Sequence, residues 1–103
     1  MYTVDAMSEA AITHVIRAYI LENILFGDEN VQYSDHDSLM QKGIIDSTGI
    51  LELIGFIESE FGFAVDDDEI RPENLDSLAL IEVYIRKKQK GESGVVSDLE
   101  YVS

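Results

Sequence analysis

Apolar residues return at helical spacing three times along this chain. Ile12, Val15, Ile16, Tyr19, Ile20 and Ile24 make the first stripe. Ser8 and Glu9 stand before it as a cap and a first-turn acid, and Gly27 supplies a stop after Phe26, so the spacing predicts a helix over Ser8 to Phe26. Ile50, Leu53, Ile54, Ile57 and Phe61 make the second stripe, with Glu52, Glu58, Ser59 and Glu60 off that face. Asp46 caps this second helix, which is expected to run from Ser47 to Phe61 and to stop at Gly62. Leu78, Ile81, Tyr84 and Ile85 mark a last helix, opened by Asp76-Ser77 and closed by Gly91. Arg86, Lys87, Lys88 and Lys90 complement the dipole at its end.

The segments between these helices carry their own signals. Gly27 to Asp46 is a long connection that Val31, Tyr33, Leu39, Ile44 and Ile45 can pin to a core, with a brief helical turn at Asp37-Ser38-Leu39-Met40. Residues 66 to 69 read as an acidic turn. Arg71 to Leu75 reads as a short helix with Pro72 in its first turn. The expected fold is all-α: three main helices, a short third helix and a long first loop. Residues 1–7 are expected as an arm, 8–90 as one domain, and 91–103 as a disordered tail of small, polar and acidic residues.

Charge narrows the function classes. A formal net charge of −14 disfavours nucleic acid and anionic membrane surfaces as partners, because both are bound through lysine and arginine. The same field attracts basic proteins. Between Gly43 and Ile70 there are eight acids and no lysine or arginine. The absence of cysteine excludes disulfides, thiolate metal sites and a protein thiol nucleophile. No signal-peptide pattern and no membrane-spanning stretch is visible, so a soluble cytoplasmic protein with no membrane insertion is expected.

Ser47 is the residue on which chemistry can be hung. It lies at a loop–helix junction, where helix amides and dipole favour an attached phosphate and a modifying enzyme has access. The plain alternative is a first-turn serine with no further role. Neither His14 nor His36 has a partner at the spacing of a metal site or a nucleophile–base pair, so no catalytic residue is expected. Asp66-Asp67-Asp68-Glu69 lacks the alternating ligands and central glycine of a calcium loop, so no metal site is expected either.

The run Gly43-Ile44-Ile45-Asp46-Ser47-Thr48-Gly49-Ile50-Leu51-Glu52-Leu53 resembles the attachment site of acyl and peptidyl carrier proteins. The resemblance extends from about Ile12 to Ile85, through the long first loop, the Phe-Gly end of the second helix, the acidic turn and the Asp-Ser-Leu opening of the last helix. It implies an acyl-carrier-protein-like bundle, not an enzyme, whose Ser47 bears 4′-phosphopantetheine. The arm would come from coenzyme A through a magnesium-dependent phosphopantetheinyl transferase. An ATP-dependent acyl- or aminoacyl-activating ligase would load the cargo as a thioester, for downstream acyl-processing enzymes to use. Carried over by position, Asp46, Thr48, Leu51, Glu52 and Glu58 would be read by partners, with Asp67, Asp68 and Glu69 as additions. A monomer is expected.

Thr48 stands where fatty-acid carriers usually have leucine, and Gly55 sits mid-helix at a commonly bulkier position. Asp46-Ser47-Thr48-Gly49 looks closer to stand-alone aminoacyl carriers of the D-alanyl type. Together with a core of bulky Ile, Phe and Tyr, this points to a small acyl or aminoacyl cargo. The competing reading is an unmodified acidic helical adaptor for a basic protein.

Overall fold

The computed structural model describes residues 9–91, and all regular structure among them is helical. The elements are α1 (Glu9–Asn23), α2 (Ser47–Phe61), a 3-10 turn (Asp67–Glu69), α3 (Pro72–Leu75) and α4 (Leu78–Gln89). This is the expected bundle of three main helices and one short one. The arm at 1–7 and the tail beyond Gly91 lie outside the described residues.

The apolar stripes meet in one core. Ile12, Ile16 and Ile20 of α1, Leu53 and Ile57 of α2, and Leu78, Ile81 and Ile85 of α4 are fully buried. Each such side chain is worth about 1.5–3 kcal/mol of transfer free energy relative to exposure. Tyr19 of α1 stacks on Phe56 of α2 with ring centroids 4.3 Å apart, which fixes the flank of this pair of helices.

The helix ends follow local chemistry, with two corrections. Gly62 closes α2 in the left-handed conformation at φ 76°, donating to Glu58 O. Helix α1 ends at Asn23 and not at Phe26. Beyond it, Leu25 N reaches back to Ile20 O and Gly27 N to Leu21 O, bonds wider than the helical ladder, and Phe26 itself turns left-handed at φ 51°. The left-handed turn therefore begins one residue before the glycine, after the helix has already ended. At α4, Ser77 alone is the cap, accepting from Leu80 N at 3.1 Å.

Asp76 belongs instead to the first loop. Its carboxylate accepts from Ser38 Oγ at 2.5 Å and from Met40 N at 3.1 Å, and its carbonyl accepts from Leu39 N at 2.8 Å. Lys42 N bonds Ser38 O, making the brief turn expected in this region. Arg17 of α1 holds the other half of the loop. It pairs with Asp35, donates to Tyr33 O at 3.3 Å and lies 4.7 Å from the Tyr33 ring centre. With Leu39, Ile44 and Ile45 buried, the loop is a fixed wall that delivers the chain to the start of α2.

Candidate functional site

Ser47 opens α2, and the residues before it determine how it is presented. Ile44 and Ile45 are buried, so the chain is anchored two residues before the serine. Asp46 is extended at φ −107° and ψ −173°, and its Oδ1 accepts from Gly49 N at 2.7 Å. That bond satisfies one of the amides every helix start leaves without an internal partner. A Cβ at Gly49 would lie 3.3 Å from Asp46 Oδ1, so the missing side chain there leaves the cap undisturbed. Ser47 and Thr48, next along the first turn, are both exposed.

Two depressions flank this turn. The first is an open groove of about 330 Å³ in which Ser47, Met40, Ile50 and Leu51 face Ile70, Pro72 and Leu75, with Arg71 and Asp76 at its edge. The second, of about 270 Å³, is bordered by Phe26, Ile44, Asp46, Thr48 and Glu52. A group attached to Ser47 thus meets an apolar groove beside it, and a phosphodiester meets the positive end of α2. An extended arm bearing a phosphodiester fits these surroundings.

The candidate recognition residues divide into two sets. Asp46, Thr48, Leu51 and Glu52 are exposed around the serine, Leu51 to 62%. Glu52 stands close enough to Tyr19 that its charge adds to burial in raising the Tyr19 phenol above its usual pKa. Asp67 and Asp68 are exposed on the 3-10 turn. Glu58 is half-buried and ties down the segment after α2 by accepting from Val65 N at 2.8 Å. Glu69 is 1% exposed. Its carboxylate accepts from Tyr84 Oη at 2.8 Å and from Lys88 Nζ at 3.0 and 3.1 Å, and is closed off from any docking partner.

Three apolar residues at this end were not singled out by sequence reasoning for a surface role: Phe26, Met40 and the groove residue Ile70. Phe26 is 85% exposed and Met40 45%. In the sequence Phe26 reads as the last residue of the first helix, and only the Phe-Gly pair hints that it lies on a turn. Among the described residues, no group of three or more His, Cys, Asp or Glu is placed to hold a metal ion. No described helix is long and apolar enough to cross a membrane.

A helical bundle that displays one serine at the capped start of an amphipathic helix, between a long anchored loop and a short third helix, has the build of a carrier domain. The D-alanyl carrier protein of Abiotrophia defectiva is 31% identical over 61 residues, covering 59% of this chain and 77% of that protein. The chain belongs to the family of stand-alone carrier proteins that includes it. No family model matches the chain. A carrier role follows in general terms, and carrier proteins are generally not enzymes.

Proposed function

We propose that Ser47 is the covalent attachment point of a 4′-phosphopantetheine arm, and that the protein carries an acyl or aminoacyl group to partner enzymes. The observation that supports this best is the exposed hydroxyl at the first turn of α2, beside a cap that keeps that turn formed. When bound, the arm supplies the thiol this cysteine-free chain lacks, and so a place for a thioester. The protein's own residues do the rest. Asp46 holds the helix start rigid, the first-turn amides and dipole favour the phosphodiester, and the buried Ile44 and Ile45 keep the serine from retreating into the core.

The partners in this reading are a phosphopantetheinyl transferase drawing on coenzyme A and magnesium, an ATP-dependent activating ligase, and the enzymes that use the cargo. Asp46, Thr48, Leu51 and Glu52 form the surface they share, with Asp67 and Asp68 at its periphery. The relative's name favours an aminoacyl cargo such as D-alanine. Full burial of Ile57 and Ile81, with Ile54 nearly so, supports a small cargo held outside the core, since a close-packed interior resists opening for a long chain.

Intact mass tests the assignment. Incubated with coenzyme A, magnesium and a broad-specificity transferase, the protein should gain one phosphopantetheine mass, and Ser47→Ala should gain none while keeping its helical spectrum. Modification of Ser47→Ala would refute the site. An unmodified wild type would favour the acidic adaptor instead.

A further inference from the structure

Phe26 is placed against two physical preferences at once. Its ring is 85% exposed, and its backbone sits at φ 51°, where Gly or Asn is accommodated far more readily than an aromatic residue. The exposed ring contributes little packing that would offset the backbone conformation. Such a combination is expected where a side chain is held outward for contact.

The ring borders the cleft of about 270 Å³ that also takes in Ile44, Asp46, Thr48 and Glu52. The exposed Phe26 ring gives the cleft an apolar wall, Ile44 being largely buried, and Asp46 and Glu52 share its border, with Asp46 Oδ1 engaged in the α2 cap. The occupant this chemistry fits is a long cationic side chain, with its stem on the apolar wall and its head at the carboxylates. Arginine fits better than lysine, since its planar guanidinium both stacks on a ring and meets carboxylates in two-point fashion. The chain's net charge of −14 brings basic surfaces to it.

We propose that this cleft receives an arginine of the phosphopantetheinyl transferase, with Phe26 as the residue that holds it; the proposal rests on the carrier reading. The transferase is favoured over later enzymes by reach. It must bring its reacting groups to the Ser47 hydroxyl itself, so its contacts fall on the residues bordering Ser47, and Asp46 and Thr48 line this cleft. Enzymes that act at the far end of a flexible arm are under no such constraint.

Steady-state modification by a broad-specificity transferase, with coenzyme A and magnesium at low ionic strength, tests this on the full chain. Phe26→Asn tolerates the left-handed backbone, so its unfolding midpoint should be unchanged or higher, whereas KM for the carrier should rise about tenfold with kcat little changed. Phe26→Gly serves the same purpose if the asparagine variant folds poorly, and Phe26→Tyr should keep the wild-type KM. Glu52→Gln should also raise KM, and the double variant should raise it by less than the product of the single effects. A KM for Phe26→Asn and Phe26→Gly within about twofold of wild type, at the same salt, would overturn the proposal. A lowered unfolding midpoint with KM unchanged would overturn it equally, by assigning Phe26 a purely structural role. If the wild type itself takes no arm, the carrier reading falls first, and this inference with it.

Discussion

Removing the Glu69 carboxylate should cost the fold far more than its surface neighbours would. Glu69 is 1% exposed and the paired Lys88 side chain 15%, so the ion pair is largely withdrawn from water. The carboxylate accepts from Lys88, from Tyr84 Oη at 2.8 Å and from Asp66 N at 3.1 Å. The Glu69 carbonyl also accepts from Asn74 Nδ2 at 2.9 Å, which couples the 3-10 turn to α3. Breaking one side of a buried pair typically costs about 3–5 kcal/mol, because the remaining charge is left without a partner. Lys88 lies near the end of α4 and keeps some exposure, so its ammonium can swing toward water. That relief places Glu69→Ala at about 3 kcal/mol, the lower end of the range.

Glu69→Gln keeps an acceptor oxygen for Tyr84 but loses the charge and turns the other oxygen, which accepts from Lys88, into an amide donor, for about 1.5–2 kcal/mol. The assay is urea unfolding, read as a lower midpoint at an unchanged m-value. Since whole domains are stable by about 5–15 kcal/mol, Glu69→Ala is expected to stay folded in buffer with a much reduced margin, and the glutamine variant covers the case in which it does not. A loss below about 1 kcal/mol for Glu69→Ala, comparable with an exposed pair, would refute the reasoning. So would a Glu69→Gln variant as stable as the wild type, since the charge would then contribute nothing.

Two further outcomes follow from single residues. A Cβ at the exposed helical Gly55 meets no atom within 4 Å, so Gly55→Ala should raise stability by up to about 1 kcal/mol in the same urea assay, and any loss would mean α2 needs that glycine. The Tyr84 phenol is pushed well above its usual pKa by burial, then by its bond to Glu69. A raised folded-state pKa means stability that is complete below the unfolded value and lost as pH rises above it. The fold should therefore weaken above about pH 10, and Tyr84→Phe should flatten that alkaline decline, as followed by unfolding midpoints across pH; an unchanged slope would remove Tyr84 as its source.

The parts of this fold that were legible in the sequence are those written in local chemistry. The three apolar stripes specify helices because side chains three and four apart share a face, and Asp46 and Gly62 mark the ends of α2 because capping needs only neighbouring residues. The parts that were not legible depend on residues distant in sequence. Asp76 reads as half of a helix cap, but its carboxylate is engaged by Ser38 and Met40, 38 and 36 positions away. Glu69 reads as one more acid in an acidic turn, but Tyr84 and Lys88 reach it from 15 and 19 positions on. Nothing in the run Asp66-Asp67-Asp68-Glu69 distinguishes the buried member from the exposed ones. At the candidate site, the serine, its cap and its exposed neighbours follow from the local motif. The groove wall from α3 and the outward Phe26 follow from packing.

That sorting of acids bears on how a partner could recognise this surface. Of the eight acids between Gly43 and Ile70, Glu69 is paired with Lys88 inside the fold and Glu58 accepts from Val65 N, which leaves six exposed: Asp46, Glu52, Glu60, Asp66, Asp67 and Asp68. Asp46 and Glu52 remain at the serine end, beside the exposed Phe26, Met40 and Leu51. Charge at long range draws many basic proteins together with an acidic one, and discriminates poorly among them. Discrimination needs contacts that a wrong partner leaves unfilled, and apolar side chains held out beside a charged rim provide them. Since these apolar residues cluster at the start of α2, a basic surface drawn in by the whole acidic face would be oriented by shape at that one point. An acidic helix alone would attract partners without telling them where along it to stop.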